Sequence, residues 1–450
     1  MKDLNQLQVI YFIGIGGIGM SALARYFRHL GATVYGGDRV QTRLTNQLSQ
    51  EGMHIHYEDN PKRIPKGIDL VVYTPAIPNT HQELNYFRAN NYPLKKRAEV
   101  LGILSKHRKT IGVAGTHGKT TTSAMLVHLL RASGIECTAF LGGISSNLGA
   151  NFVAGRSEWV VMEADEFDRS FLHLHPHISI ITSMDADHLD IYGDKDHLEA
   201  AFHQYVQQTQ EQLYYHHRLG MDKKGNAKLE CKSYGVDAGD YRSTNITYTP
   251  KVNFDYVNPN GKIRNLKTQM PGVHNIENLT AALSVALHLG CGVKDLRKAV
   301  ASFRGIQRRY EFVRVREKHV FIDDYAHHPS ELNATIQATR TLYPNRKLTG
   351  IFQPHLYSRT QDFSLGFAKA LDQLDEVILL DIYPARELAI QGVDSGLIYK
   401  QINLKNKVLI PKGELLNTLE NYDLDILLSL GAGDIGAMVP DIAAHLDKKK

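Results

Sequence analysis

The stretch KTIGVAGTHGKTTTSAMLVHLL, starting at Lys109, constrains this chain more than any other. A short apolar run enters a glycine turn. The segment after it sets Met125, Leu126, Leu129 and Leu130 on one helical face before Gly134 ends it. Strand, turn and helix in direct succession form half of a βαβ unit, which calls for a parallel sheet covered by helices. The same order occurs near the start, where VIYFIGI meets MSALARYFRHLG and the strands ATVYGGD and DLVVYTPAI follow. It returns near the end, where HVFIDDYAHHP, KLTGIFQPH, EVILLDIYPA and DILLSLGAGDIG each run from a strand into a loop of reactive side chains. The expectation is an α/β protein of several domains, because 450 residues exceed one ordinary core. Residues 221–270 are polar and strand-like, and NPNG at 258–261 predicts a hairpin.

In open α/β sheets, ligands gather at the carboxyl ends of strands. The backbone N–H groups of the turn Gly115, Thr116, His117 and Gly118 suit phosphate oxygens, as does the positive end of the helix that follows with Thr121. Lys119 would reach the β- and γ-phosphates, and Thr120 would offer a hydroxyl to magnesium. The strict GxxxxGK[ST] spacing is not met, since Val113 stands where its first glycine belongs. GIGGIGMS satisfies GxGxxG through Gly14, Gly16 and Gly19, with Gly17 between them and Asp38 closing the second strand. That pattern fits the diphosphate of NAD or of a UDP-sugar equally. Glu163 and Asp165 in MEADEFD and His188 in DADHLD follow later strands; they suit magnesium or helix capping, and the phosphate loop upstream favours metal. Tyr325 and His327 in DYAHHP, and His355 and Arg359 in QPHLYSRT, could bind a carboxylate or a leaving phosphate. GAGDIG at 431–436 reads as a tight strand–helix turn.

Composition narrows the class. A formal charge of +5 with scattered Lys and Arg gives no basic patch, so no nucleic-acid partner is expected. Cys137, Cys231 and Cys291 are few and far apart, which argues against a disulfide framework and fits a reducing compartment. The start of the chain lacks a basic n-region, and no apolar run reaches the ~18–20 residues of a bilayer span. A cytoplasmic protein without membrane insertion is expected.

Taken in order, GIGGIGMSALA, AGTHGKTTT, EADEFDRSFL, DADHLDIYG, PGVHNIEN, DDYAHHP and FQPHLYSRT resemble the Mur ligases, the ATP-dependent amide-forming enzymes of peptidoglycan synthesis. The resemblance covers nearly the whole chain. It implies three domains: a Rossmann-like UDP-sugar domain over 1–106, a central P-loop ATPase-type domain over 107–312, and a Rossmann-like C-terminal domain over 313–450. It further implies that L-alanine is joined to UDP-N-acetylmuramate with ATP and Mg2+, so that the first glycine turn and Asp38 hold a UDP diphosphate and not NAD. By motif, Thr120 and Glu163 would hold magnesium, His188 would hold a second magnesium near the sugar's carboxylate, and Asn275 and Asn278 would line the ATP site. Arg309 and Asp324 would reach the nucleotide, with Lys119, His188 and Arg309 acting in catalysis. Tyr325, His327, His355 and Arg359 would surround the alanine. Family members often carry arginine after the histidine of QPH, where this chain has Leu356. A nicotinamide-dependent oxidoreductase would leave Lys119 and Glu163 unemployed. A P-loop regulatory ATPase would need no acyl acceptor, and the tripeptide-recycling member of the family typically lacks the GIGMS form.

Overall fold

The computed structural model describes residues 4–185, 189–221, 228–248, 252–385 and 387–448. Three sheets follow one another along the chain. The first comprises β1 (Val9–Ile13), β2 (Thr33–Gly37), β3 (His54–His56), β4 (Leu70–Tyr73) and β5 (Leu94–Lys96), in the order β3-β2-β1-β4-β5 with all neighbours parallel. Its helices include α1 (Ile18–His29), α2 (Arg43–Gln50), α3 (Gln82–Ala89) and α4 (Arg97–His107). Ile10 to Ile13 are fully buried, as expected for a strand covered on both faces. The strand order reverses between β1 and β4, which opens a crevice at their carboxyl ends.

The second sheet has ten strands: β6 (Lys109–Ala114), β7 (Thr138–Ser145), β8 (Ala150–Val153), β9 (Trp159–Ala164), β10 (Ile178–Ile181), β11 (Gln212–His216), β12 (Glu230–Val236), β13 (Tyr241–Thr247), β14 (Val252–Asn258) and β15 (Gly261–Thr268). Their order is β15-β14-β13-β12-β11-β10-β6-β9-β7-β8. The expected hairpin at NPNG is present as adjacent β14 and β15. β6 lies centrally between β9 and β10, so the turn after it opens beside the ends of both. Helix α5 (Lys119–Ala132) buries almost every residue of its first two turns.

The third sheet runs β16-β17-β21-β18-β19-β20, with β16 (Glu311–Val315), β17 (Val320–Asp324), β18 (Leu348–Phe352), β19 (Glu376–Leu380), β20 (Lys407–Ile410) and β21 (Ile426–Leu430). β16 pairs antiparallel with β17, Glu311 opposite Asp323. This sheet therefore starts two residues ahead of the border expected at 313.

The chain divides into two compact units: Met1–Asn245 with Phe254–Lys267 and Glu277–Phe303, and Ile246–Asn253 with Thr268–Ile276 and Arg304–Lys450. The first unit contains both the five-stranded sheet and the phosphate loop. Within it, α1 docks on β7 and β8. The Tyr26 ring lies 5.5 Å from Phe140 and 6.1 Å from Phe152. Asn151, fully buried, donates to Ile18 O at 2.5 Å and to Ser21 Oγ at 2.9 Å. Among the described residues, no helix is long and apolar enough to cross a membrane.

Candidate active site

The turn after β6 is shaped by its backbone. Gly115 has φ +134°, and a Cβ there would fall 2.0 Å from Thr182 Oγ1, so only glycine fits. Gly118 caps α5 with no side-chain hydrogen bond, leaving the first-turn N–H groups available to an anion. Residues after β10 brace the turn: Ser183 Oγ accepts from His117 N at 2.8 Å and lies 2.9 Å from Thr116 Oγ1. Asp185 N donates to Thr116 Oγ1 at 3.0 Å. Behind Gly118 stands Asn278, whose Oδ1 would lie 2.6 Å from a Cβ at that position. Thr121 is buried beside Thr120 in the first turn of α5.

Lys119 Nζ donates to Gly115 O at 2.7 Å and to both oxygens of Glu166, at 3.0 and 2.7 Å. Glu166 is fully buried and its carbonyl accepts from Tyr192 Oη at 2.6 Å. Burial alone would lower the Lys119 pKa, but Glu166, Asp165 and Glu163 outweigh it and the net shift is upward. The ammonium is thus held charged at the mouth of the turn. Thr120 Oγ1 donates to Glu163 Oε1 at 2.7 Å, and Glu163 Oε2 accepts from Gly142 N at 2.7 Å. Two hard oxygen donors therefore meet beside the turn, a pair of the kind that could hold magnesium. His188 lies outside the described residues.

At the carboxyl end of β1, Gly14 N donates to Gly37 O at 2.8 Å, and Gly17 N to Gly14 O at 3.2 Å. Asp38 ties this turn to β2 by accepting from Gly16 N at 2.7 Å and from Arg39 N at 2.8 Å. Gly17 precedes α1 without a side-chain cap, a second open helix start. Another acid–imidazole group, Asp59, His81 and Glu83, lies within metal-ligand spacing at the start of α3. Asp59 accepts from Gln82 N and Glu83 N, so capping of α3 accounts for it.

The second unit assembles its own cluster. Asp324 is buried at the end of β17 and accepts from Tyr310 N and Ala326 N, each at 2.8 Å. Burial raises its pKa to about 6 against the opposing pull of Arg309. The Arg309 guanidinium lies 5.1 Å from the centre of the Tyr325 ring and 3.5 Å from Glu331 Oε1. His327 receives support from the other oxygen of that carboxylate, its backbone N–H donating to Glu331 Oε2 at 2.9 Å and its ring Nδ1 lying 3.2 Å from the same oxygen. Burial pushes the His327 pKa down to about 4; Glu331 opposes this and Arg359 reinforces it. The rings of His327 and His355 are 5.9 Å apart, and Arg359 Nη1 is 3.4 Å from His355 Nδ1. Leu356 is buried at φ +71°, a costly conformation for leucine, and its N–H donates to Tyr383 O at 3.0 Å. Asn275 is buried and donates to Pro271 O at 2.7 Å.

Two acids outside the expected set organise these groups. Glu166 follows Glu163 by three residues, and Glu331 follows His327 by four, at helical spacing. Such spacing was the available signal, but it does not say which carboxylate is buried beside a cation.

Comparison with known proteins adds three family models in chain order: "Mur ligase family, catalytic domain" over residues 9–109, "Mur ligase middle domain" over 113–286, and "Mur ligase, glutamate ligase domain" over 308–432. A UDP-N-acetylmuramate–L-alanine ligase of Flavobacterium psychrophilum is 48% identical, covering 99% of this chain and 100% of the relative. One of Phocaeicola vulgatus is 47% identical over 99% and 100%. The crystal structure of UDP-N-acetylmuramate-alanine ligase from Thermotoga maritima superposes with a TM-score of 0.85 at 28% identity, covering 99% and 100%. A murein peptide ligase of Psychrobacter arcticus shares the fold, with a TM-score of 0.73 at 22% identity over 98% of each chain.

Proposed function

The chain belongs to the Mur ligase family, and we propose that it joins L-alanine to the lactyl carboxylate of UDP-N-acetylmuramate at the expense of ATP, in the cytoplasmic synthesis of peptidoglycan precursors. The observation that carries this reading is the pairing of a charged Lys119 at the phosphate turn with the Thr120–Glu163 oxygen pair beside it.

A carboxylate acylates poorly because its oxygen is a poor leaving group. Its oxygen attacks the γ-phosphorus, ADP departs, and an acyl phosphate forms. The alanine nitrogen then attacks the acyl carbon, the C–O bond to phosphate breaks, and inorganic phosphate leaves as the amine gives up a proton. Catalysis of phosphoryl transfer is mainly positioning and charge neutralisation. Gly115 to Thr121 cradle the phosphates, with Asn275 and Asn278 assigned to the nucleotide. Lys119 is assigned to the transferred group, and Arg309 and Asp324 are assigned to the nucleotide. Thr120 and Glu163, with His188, are assigned to magnesium. When bound, the cation screens the repulsion between two anionic substrates. Gly14, Gly16, Gly17, Gly19 and Asp38 are assigned to the UDP-sugar. Tyr325, His327, His355 and Arg359 are assigned to alanine, with the neutral His327 adding no charge beside the incoming ammonium.

The test is an amino-acid panel with ATP and UDP-N-acetylmuramate, following phosphate release. Release is expected only with both the sugar nucleotide and L-alanine present. Robust hydrolysis with neither would refute ligation, and turnover with a tripeptide but not alanine would move the chain to the recycling activity.

A further inference from the structure

Arg97 occupies a position that electrostatics disfavours unless an anion is nearby. It is the first residue of α4, directly after β5, on the side of β4 away from β1. Its guanidinium crosses the bare first turn of α1: a Cβ on Gly19 would fall 1.7 Å from Arg97 Nη1. The start of a helix carries partial positive charge, so a cation laid against it is repelled. In the structure Asp165 supplies the balancing charge, 3.2 Å from Arg97 Nη2. The neighbouring Lys96 is matched in the same way by Asp168, at 3.1 Å. Both acids are about one-third exposed (35% and 36%), and ion pairs of that kind are weak and exchangeable.

We propose that Arg97 is a substrate-binding residue that takes the diphosphate of the UDP-sugar at the open start of α1, with Asp165 holding the guanidinium in position until the substrate arrives. The proposal rests on the reading of the first glycine turn as a UDP-sugar site. It gives Gly19 a specific task, which is to leave room for an arginine and not only for the ligand. A planar guanidinium matches phosphate oxygens with two parallel N–H bonds, which a lysine at the same place cannot do.

Calorimetric titration with UDP-N-acetylmuramate and, separately, with ADP and magnesium tests this. Arg97→Ala is expected to weaken sugar-nucleotide binding by about 10- to 100-fold, a few charge-assisted bonds' worth, with ADP affinity within twofold. Arg97→Lys should fall between the two. Gly19→Ala leaves every charge in place and should weaken the same ligand, while adding little to Arg97→Ala in the double variant. Unchanged sugar-nucleotide affinity in Arg97→Ala overturns the assignment and leaves the ligase reading intact. Equal loss of both ligands in Arg97→Ala and Arg97→Lys, or additive losses in the double variant, would make Arg97 a strut between the sheets and also overturn it. Failure of the unaltered protein to bind UDP-N-acetylmuramate would instead defeat the reading of the first turn.

Discussion

Two glycine-rich turns, one in each unit, each hold a cation on a backbone carbonyl but draw it from different places. In the phosphate loop that cation, Lys119, is the first residue of the turn's own helix and donates to Gly115 O at 2.7 Å. In GAGDIG the backbone presents carbonyls, and Arg308 fills them: its Nη2 donates to Gly431 O at 2.6 Å and its Nε to Asp323 at 3.1 Å. A Cβ on Gly436 would fall 2.3 Å from that guanidinium carbon. Glycines at the first turn thus make room for the short polar side chains of Thr182 and Asn278, and at the second for a whole arginine. Glycine spacing alone reports close approach, not what approaches.

The largest effect should come from Lys119→Ala. Loss of ligation by at least about 1000-fold is expected from removing the cation at the transferred phosphate. Stability should also fall by about 3–5 kcal/mol, because the buried Glu166 loses its counter-charge. Adding Glu166→Gln should recover most of that stability in urea denaturation and none of the activity; recovered turnover would remove Lys119 from the chemistry. For the second turn, Arg308→Ala should cost about 3 kcal/mol by stranding Asp323, which is almost completely buried. That loss belongs to folding, so turnover per folded molecule should change far less than in Lys119→Ala. A loss of turnover as large as that of Lys119→Ala, with folding intact, would erase the contrast.

Glu163→Gln should raise the magnesium concentration for half-maximal activity about tenfold, since a neutral amide replaces an anionic oxygen donor. An unchanged magnesium titration would free Glu163 from that role. The smallest effect concerns the second unit. The pKa of His327 lies below the ordinary 6.5, at about 4, so the unfolded chain binds the proton first as pH falls. Its share of stability is complete above pH 6.5 and disappears as pH drops toward 4. Asp324, raised to about 6, works the other way: its share is complete below pH 3.8 and lost as pH rises through 6. A melt would blend the two, so histidine NMR is the suitable measurement. Glu331→Gln removes the group that holds the His327 pKa up, and its titration should move lower still; an upward move would contradict the assigned cause.

The repeating strand–turn–helix order was readable along the chain because each unit is local. Lys119, Thr120 and Glu163 were readable for a related reason, since β6 and β9 are both strand ends facing one turn. Long-range partners were not. Glu166 looks like any other acid in EADEFD until Lys119, 47 residues earlier, is placed over it. Arg97 follows a three-residue strand and gives no motif of its own. The antiparallel β7–β8 pair is equally silent, being an irregular edge with a register shift between Phe140 and Ser145. The occupant of GAGDIG lies more than a hundred residues upstream. Each of these depends on which strands become neighbours, and alternation and turn chemistry do not encode that order.

The seating of Tyr26 and Asn151 has a practical consequence. Cut loose after α4, the leading segment would present an aromatic ring and the backbone carbonyl of Ile18 to water where Phe140, Phe152 and Asn151 now cover them. Such a fragment would be prone to clumping, so anyone seeking a minimal recombinant sugar-nucleotide binder from this enzyme should carry the chain through Phe303.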